Sequence, residues 1–314
     1  MNLQPATCSQ QPLSAMNTYI RALRLPFLTG SLLPVLQAAA LAFGDGSFGG
    51  LNLLLILIGV GALHTAGNLI NDYYDTPGSD KVNRYPTPFS GGSRVILDNL
   101  LSARWVWWAS TASFALAVVI GLIFVFTGRP YVAVVGLLGL LAGLLYSANP
   151  TQFMSRGLGE IIIFFAFGPL ITWGTYYVLT NQFTTPAFFL GFPLGFLITA
   201  IIWINEFPDY EADKGAGKRN LVVRLGLAPS RWIYAVLMLA PFPFLLFLVF
   251  GQKMSSWMLL AWLTLPLALK GIGICWRHYG EPERVVPAQA LTIQTHLALG
   301  LLMVLGLLLS HWVR

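Results

Sequence analysis

Two clusters of acidic and amide side chains stand out in the sequence, and each one follows a long apolar run. The first contains a histidine, two asparagines and three aspartates: His64, Asn68, Asn71, Asp72, Asp75 and Asp80. Positions 64 to 75 of this set are spaced by three and four residues, so on a helix they share one face. An aspartate in the middle of a membrane span costs about 2.5–3.5 kcal/mol, so such a polar stripe is expected to face a cavity or the bundle interior. Pro77 and Gly78 are expected to end the helix, with Asp80 on the loop just beyond.

The second cluster repeats this design later in the chain. Its polar residues are Asn205, Glu206, Asp209 and Asp213. Both clusters read asparagine, acid, two other residues and aspartate, and both precede a long polar segment. The repetition suggests a duplicated unit.

Two facing clusters of carboxylates repel each other unless cations lie between them. Ligands that offer only oxygen favour a hard cation such as Mg²⁺. Magnesium is usually held by a few carboxylates while substrate phosphates complete its shell. Nearby basic residues are expected to complete an anion site: Lys81, Arg84, Arg94, Arg156, Lys214 and Lys218. Acids for the metal, bases for the phosphate and an apolar bundle behind them together imply a lipid diphosphate substrate.

The composition determines which elements must position these residues. Of the 314 residues, 56% are hydrophobic and only 10% are charged. Soluble domains carry about 25% charged residues, so a water-soluble enzyme is excluded, and disorder is excluded by the high hydrophobicity. Nine apolar runs predict an all-α polytopic membrane protein: 26–43, 51–73, 105–127, 131–147, 160–180, 186–206, 232–251, 255–273 and 290–312. We expect one transmembrane domain over 1–314, with a polar segment at 1–20.

The charged residues predict the orientation of the chain in the membrane. With the N-terminus inside, all but three of the 18 Lys and Arg residues fall on the inner side, the exceptions being Arg129, Lys253 and Arg314. We therefore expect a multi-pass protein of the inner cell membrane, with the N-terminus and both acidic clusters cytoplasmic. The net charge of +6 is explained by this bias, and no nucleic-acid partner is expected. Cys8 and Cys275 form no metal motif.

At these motifs the sequence resembles the UbiA superfamily of intramembrane prenyltransferases. Asn71-Asp72-x-x-Asp75-x4-Asp80 is similar to the first aspartate motif of that family, and Asp209-x3-Asp213 to the second. The resemblance covers essentially the whole chain. It implies a nine-helix bundle around a central cavity, a polyprenyl diphosphate donor, an aromatic acceptor and Mg²⁺ as cofactor.

Within the family the chain most resembles the 1,4-dihydroxy-2-naphthoate polyprenyltransferases of menaquinone synthesis. The likeness is carried by the Asp75-x4-Asp80 gap with Gly78, by 89–94, by 146–150 with 156–160, and by 209–226. The chain departs from these enzymes at Glu206, Pro208 and Asn220, where Asn, Arg and Thr are usual. These departures concern the identity of the acceptor more than the class of reaction.

The resemblance also implies roles for single residues. Asn71, Asp75, Asp209 and Asp213 are the expected metal or metal-water ligands, with Asp72 and Asp80 in support. The expected catalytic residues are Asp72, Asp75, Asp209 and Asp213. Substrate-binding candidates besides the six basic residues are Asn68, Asn71, Tyr146 and Asn205. Aromatic rings that could stabilise an allylic cation are Phe164, Phe165, Phe167, Trp173, Tyr176 and Tyr177.

Two alternatives stay open from the sequence. The same fold could use another acceptor, such as 4-hydroxybenzoate, homogentisate, a chlorophyll-type ring or a glycerophosphate lipid. A secondary transporter could use paired acids to couple cations, since intramembrane acids commonly mark ion paths. Release of pyrophosphate distinguishes the enzyme from the transporter.

Overall fold

Long apolar runs become helices in lipid because every backbone polar group must be satisfied within the protein. The computed structural model describes residues 15–312, and within them the chain forms helices and turns without a β-strand. Nine helical segments build the bundle: Met16–Gly44 (α1), Gly50–Asp80 (α2), Ala103–Phe126 (α3), Val132–Ser147 (α4), Gly159–Thr180 (α5), Thr185–Gly215 (α6), Leu227–Gly251 (α7), Ser256–His278 (α8) and Pro282–His311 (α9).

Eight of these nine described segments are long and apolar enough to cross a membrane, and α4 is a shorter apolar helix. The prediction of an all-helical integral membrane protein with about nine spans is therefore confirmed. Cys8 lies outside the described residues. Cys275 is buried in α8 as a free thiol.

The hydrophobic core lies mainly among α6, α7, α8 and α9. Its largest cluster is centred on α6, where Leu194, Leu197 and Ile204 are fully buried. Helix α1 joins the two sides of the bundle, because Leu33 packs into this cluster while Val35 packs into a second one with α2, α3 and α5. Helices α2 and α3 bury much less of their apolar surface than α6 does. The looser side of the bundle is where a cavity opens.

Several helices deviate from regular geometry close to this cavity. The regular part of α2 ends at Asp75, and a kinked turn over Thr76–Asp80 follows it, with Gly78 at the non-helical values φ −99° and ψ −117°. The break expected at Pro77 and Gly78 is therefore present, and Asp80 lies just beyond it with its side chain buried. In α5 a similar wide turn spans Ala166–Leu170 and contains Pro169, which cannot donate a helical hydrogen bond.

Two polar segments, 81–102 and 216–226, lie at the end of the bundle where α2 and α6 end. The second contains a short helix, Leu221–Leu225, whose first turn is capped by Asn220 Oδ1 accepting from Val223 N at 2.8 Å. Helix α4 packs closely against α2 at Gly139. A Cβ on that residue would lie 3.1 Å from Leu63 Cδ2 of α2.

Candidate active site

The acidic ends of α2 and α6 meet at a single lysine. Lys218 Nζ lies 2.9 Å from Asp75 Oδ2 and 3.6 Å from Asp213 Oδ1, so it bridges the two clusters. Asn71 Nδ2 donates to the same Asp75 oxygen at 3.0 Å, and Asn220 Nδ2 donates to Asp213 Oδ2 at 2.9 Å. The two motifs therefore face each other across one site, as their matching patterns predict.

The charge on Lys218 is fixed by this position beyond the end of α6. Burial alone would lower the pKa of its ammonium group, but the carboxylates of Asp75 and Asp213 outweigh that effect and hold the pKa above its ordinary value. Lys218 is therefore a permanent cation at neutral pH. It partly cancels the repulsion between the two acidic clusters.

The segment 81–102 folds over the site and is held there by Asp209. Asn83 Nδ2 and Ser90 Oγ donate to Asp209 Oδ1 at 2.8 and 3.1 Å, and Gly91 N donates to Asp209 Oδ2 at 3.1 Å. Asn205 Nδ2 adds a bond to the carbonyl oxygen of Phe89 at 2.9 Å. The second motif thus positions this covering loop as well as lining the site.

Two glycines shape the covering loop. Gly91 and Gly92 have φ values of +78° and +74°, a region that glycine enters without steric cost. A Cβ on Gly92 would collide with the carboxylate of Asp80. The Gly91–Gly92 turn therefore lets the backbone approach the acidic residues closely.

Asp72 differs from the other acids of the first motif. It is 2% exposed and does not line the cavity, because its side chain pairs with Arg24 and accepts from Ser93 N at 3.1 Å. Its neighbour Asn71 lies about 100° around the helix and does face the cavity. Of the five polar residues expected on one face of α2, all except Asp72 therefore line the cavity. Asp72 ties α1 and the covering loop to α2.

A cavity of about 860 Å³ runs from the acidic helix ends into the bundle. The entrance of the cavity is lined by Asp75, Asp80, Asp209, Asp213 and Lys218. Its inner part is walled by apolar residues of α3, α4 and α5, including Ile120, Val132, Val135 and Ile171. The cavity therefore has a charged entrance and an apolar interior. This arrangement suits a ligand with an anionic head and a hydrocarbon tail.

Nine of the residues predicted from sequence line this cavity: Asn68, Asn71, Asp75, Asp80, Tyr146, Asn205, Asp209, Asp213 and Lys218. Six do not: Asp72, Lys81, Arg84, Arg94, Arg156 and Lys214. Lys81, Arg84 and Lys214 are exposed, Arg156 donates to the Pro150 carbonyl oxygen at 2.7 Å, and Arg94 lies 3.8 Å from Asp98. The side chains of Lys81, Arg84, Arg156 and Lys214 are exposed to solvent, which the sequence position alone does not reveal. Arg94 is partly buried and donates to the Asp80 carbonyl oxygen at 3.5 Å.

The structure adds residues that the sequence patterns did not identify as part of the site. Arg24 lines the cavity from a left-handed turn in α1, Asn83 reaches it from the covering loop, and His296 reaches it from α9. None belongs to either acidic motif. Only His296 could have been suspected from the sequence, because it is a polar residue within the apolar run 290–312.

Of the six aromatic candidates on α5, Phe167 lines the cavity and the others do not. Phe164 packs on Phe196, and Tyr177 stacks on Phe183 with ring centroids 4.4 Å apart. Tyr176 donates to Asp45 Oδ2 at 2.7 Å at the opposite end of the bundle. Trp173, Tyr176 and Tyr177 therefore pack the end of α5 away from the acidic motifs. Phe164 packs between α5 and α6.

The charges of the cavity favour cations. Five carboxylates line it, from Asp75, Asp80, Glu206, Asp209 and Asp213, against two basic side chains in the described part of the chain, Arg24 and Lys218. Glu206 Oε2 is buried without a hydrogen-bond partner. Within residues 15–312 no three His, Cys, Asp or Glu side chains converge closely enough to hold a metal by themselves. The donor set nevertheless fits Mg²⁺, which binds through one or two carboxylates and takes the rest of its shell from water and phosphate.

The comparisons with known proteins agree with this geometry. The chain is 29% identical over 311 residues to a 1,4-dihydroxy-2-naphthoate octaprenyltransferase of Escherichia coli (strain K12), covering 97% of this chain and 99% of that protein. It is also 29% identical over 266 residues to a UbiA prenyltransferase domain-containing protein 1 homolog of Drosophila melanogaster, covering 81% of this chain and 70% of that one.

A solved structure of a UbiA homolog from Archaeoglobus fulgidus bound to GPP and Mg²⁺ has the same fold. It superposes with a TM-score of 0.60 at 17% identity, covering 91% of this chain and 99% of that one. The model of the UbiA prenyltransferase family matches residues 31–291 of this chain. Since that match spans most of the sequence and agrees with both motifs and the fold, the protein belongs to the UbiA prenyltransferase family.

Proposed function

We propose that this protein transfers a polyprenyl group from a prenyl diphosphate to an aromatic acceptor in a Mg²⁺-dependent reaction. The acceptor that we favour is 1,4-dihydroxy-2-naphthoate, which places the enzyme in menaquinone biosynthesis. The observation that carries the proposal is the convergence of two acidic helix ends on Lys218 at the entrance of a cavity with an apolar interior.

The charge balance explains why the reaction needs a divalent cation. A cavity entrance with three more acidic than basic side chains would repel a diphosphate. Asn71, Asp75, Asp209 and Asp213 would hold Mg²⁺ directly or through water, with Asp80 in support. When bound, Mg²⁺ supplies Lewis-acid stabilisation of the leaving diphosphate. Because Asp72 is paired with Arg24, we assign it the positioning of the covering loop instead of a metal ligand.

The protein's own residues supply the remaining interactions with the donor. Lys218 and Arg24 are cations at the cavity wall and can donate to the oxygens of the diphosphate. The Gly91–Gly92 turn covers the entrance, which limits access of water to the allylic carbon. The apolar walls of α3, α4 and α5 hold the hydrocarbon chain. Phe167 and Tyr146 are among the aromatic side chains that line the cavity and can stabilise positive charge, together with Phe27, Phe89 and Phe124.

The reaction then breaks the bond between the prenyl C1 and the diphosphate oxygen and forms a bond between C1 and a ring carbon. With 1,4-dihydroxy-2-naphthoate, that ring carbon loses its carboxylate as carbon dioxide, and the released electron pair restores the aromatic ring. Pyrophosphate leaves with the electrons of the broken C–O bond. Each of these products can be measured.

Support for this acceptor comes from the similarity to the 1,4-dihydroxy-2-naphthoate octaprenyltransferase of Escherichia coli. Glu206, Pro208 and Asn220 differ from the residues usual in 1,4-dihydroxy-2-naphthoate polyprenyltransferases, so other acceptors must also be tested. These are 4-hydroxybenzoate, homogentisate, a chlorophyll-type ring and a glycerophosphate lipid. The orientation that we propose places the entrance of the cavity at the cytoplasmic face of the cell membrane, because Lys and Arg residues concentrate at that end. Residues 1–314 then form one catalytic domain.

The experiment that tests the proposal is an acceptor panel with purified protein. Geranylgeranyl diphosphate, Mg²⁺ and each acceptor are combined, and the products are identified by mass. We expect a prenylated product and pyrophosphate with 1,4-dihydroxy-2-naphthoate. Product with a different acceptor alone would replace the proposed substrate, and no product with any acceptor would refute the proposed reaction.

A further inference from the structure

One side of the cavity contains buried polar atoms that have no hydrogen-bond partner. They are His296 Nε2, Asn68 Nδ2 and Glu206 Oε2, from α9, α2 and α6. The His296 side chain is the most enclosed, at 1% exposure. Leaving a buried polar group unpaired costs about 1–3 kcal/mol. A ligand that pairs with these atoms therefore recovers free energy that the empty cavity loses.

The depth of His296 follows from helix geometry. Gln289 Nε2 of α9 donates to Asn205 Oδ1 of α6 at 2.9 Å, which fixes this part of α9 beside the second acidic motif. His296 is seven residues further along α9, and therefore about 10 Å deeper in the bundle. His64 is seven residues before Asn71 on α2, so it lies at a similar depth below the first motif. Its Nδ1 lies 2.8 Å from Ser31 Oγ.

The polar side chains that line the cavity come mainly from one set of helices. The lining from α3, α4 and α5 is apolar apart from Tyr146 and Thr175, whereas the other helices add polar side chains to apolar ones such as Leu63 and Ile201. Ser31, His64, Asn68, Glu206 and His296 come from α1, α2, α6 and α9. A hydrocarbon chain packed against the polar side chains would leave their unpaired atoms unsatisfied. A prenyl chain is therefore more stable against the apolar lining from α3, α4 and α5.

We propose that these polar side chains form the acceptor subsite and that His296 binds a ring hydroxyl of the aromatic acceptor. This inference rests on the proposed function and adds to it the residue that recognises the acceptor. A neutral imidazole nitrogen can accept a hydrogen bond from a ring hydroxyl or donate one to its oxygen. Asn68 can donate to a second oxygen, and the Glu206 carboxylate can accept from a hydroxyl. The ring is thereby oriented with one edge toward the entrance where the diphosphate leaves.

The test compares three variants with the wild-type enzyme. His296→Leu removes the hydrogen bond, and His296→Gln keeps a polar group of similar reach. Gln37→Leu is the matched control, because Gln37 on α1 is also fully buried with an unpaired Oε1 but does not line the cavity. Initial rates are measured against 1,4-dihydroxy-2-naphthoate at saturating geranylgeranyl diphosphate, and then against geranylgeranyl diphosphate at saturating acceptor.

For His296→Leu we expect the acceptor KM to rise about tenfold while the donor KM stays within about twofold, which corresponds to one lost hydrogen bond. His296→Gln should recover part of the loss, and Gln37→Leu should leave both KM values unchanged. An unchanged acceptor KM in His296→Leu, or equal rises in both KM values, would overturn the inference while wild-type turnover upholds the proposed function. Absence of wild-type turnover with every acceptor would refute both.

Discussion

Lys218 determines how the two aspartate motifs coexist at the residue scale. Its ammonium group touches Asp75 of the first motif and Asp213 of the second, and each of these carboxylates also accepts from an amide. Without a cation between them the two helix ends would repel each other. Residues that we propose to bind the donor and Mg²⁺ therefore also link the ends of α2 and α6.

Asp75→Ala and Asp209→Ala should each lower turnover about 100-fold or more, because the diphosphate loses charge stabilisation in the transition state. The matched control is Glu211→Ala, an exposed acid on α6 between Asp209 and Asp213. We expect this control to keep wild-type turnover. The measurement is pyrophosphate release by purified variants whose elution on size exclusion matches the wild type. Near-normal rates in either aspartate variant would contradict the assignment.

Lys218→Met should lower the thermal unfolding midpoint, because it leaves Asp75 and Asp213 facing each other without a cation. The raised pKa of Lys218 means that the ion pair contributes fully below the ordinary lysine value of 10.5 and is lost only as the pH rises through the folded-state pKa. The difference from wild type should therefore persist between about pH 8 and pH 9, below the folded-state pKa of Lys218. Added Mg²⁺ should raise the midpoint of the variant more than that of the wild type. A difference that disappears within this pH range would contradict the charge assigned to Lys218.

At the scale of elements, the covering loop over 81–102 connects the two motifs. Asp72 holds it from α2 through Ser93, while Asp209 and Asn205 hold it from α6 through residues 83 to 91. The loop can approach the acids because Gly91 and Gly92 adopt positive φ values. Its position depends on both halves of the bundle at once.

Gly92→Ala should lower turnover about tenfold or more, because its Cβ would collide with the Asp80 carboxylate and displace the loop. Gly217→Ala is the matched control: Gly217 has a similar φ of +79°, but a Cβ there meets nothing within 4 Å. Both variants carry similar backbone strain, so Gly217→Ala measures the effect of that strain without the collision. Equal turnover in the two variants would mean that the contact with Asp80 is irrelevant to the reaction.

The sequence predicted the elements and the acidic part of the site well, for a physical reason. Aspartates at helical spacing beside apolar runs are expected to face an internal cavity, and Asp75, Asp209 and Asp213 do line one. Basic residues obey no such constraint, since their long side chains reach water from many positions. Arg84 and Lys214 were expected at the site, but for this reason they lie outside the cavity on the exposed surface.

Contacts between residues far apart in sequence were not predictable in this way. Arg24 pairs with Asp72 across 48 positions, and this pairing removes Asp72 from the cavity. His296 has no partner in any motif, and only the packing of α9 against α1 and α6 brings it to the cavity wall. Such residues become visible once the helices are assembled.

At the scale of the whole molecule, the asymmetry of charge predicts how the bundle sits in the cell membrane. The polar segments 81–102 and 216–226 carry many of the Lys and Arg residues, and both lie at the end where the cavity opens. The orientation that we propose exposes this end to the cytoplasm, where a charged diphosphate donor is available without crossing the bilayer.

Single-cysteine labelling in intact cells tests this orientation. In a background with Cys8→Ser and Cys275→Ala, Gln182→Cys reports on the connection between α5 and α6, and Glu211→Cys reports on the cavity end; both positions are exposed. A maleimide that cannot cross membranes should label position 182 in intact cells and position 211 only after the cells are opened. The reverse pattern would show that the cavity opens to the outside.

In the reaction that we propose, cations between the two acidic helix ends allow the protein to release pyrophosphate from a prenyl diphosphate. The most direct measurement is pyrophosphate release from geranylgeranyl diphosphate and 1,4-dihydroxy-2-naphthoate by the purified protein, with Mg²⁺ present or removed by chelation. We expect release and an equal amount of prenylated product only when donor, acceptor and Mg²⁺ are all present, and recovery when Mg²⁺ is restored. No release under any of these conditions, together with cation-driven flux in proteoliposomes, would contradict the account and favour a transporter.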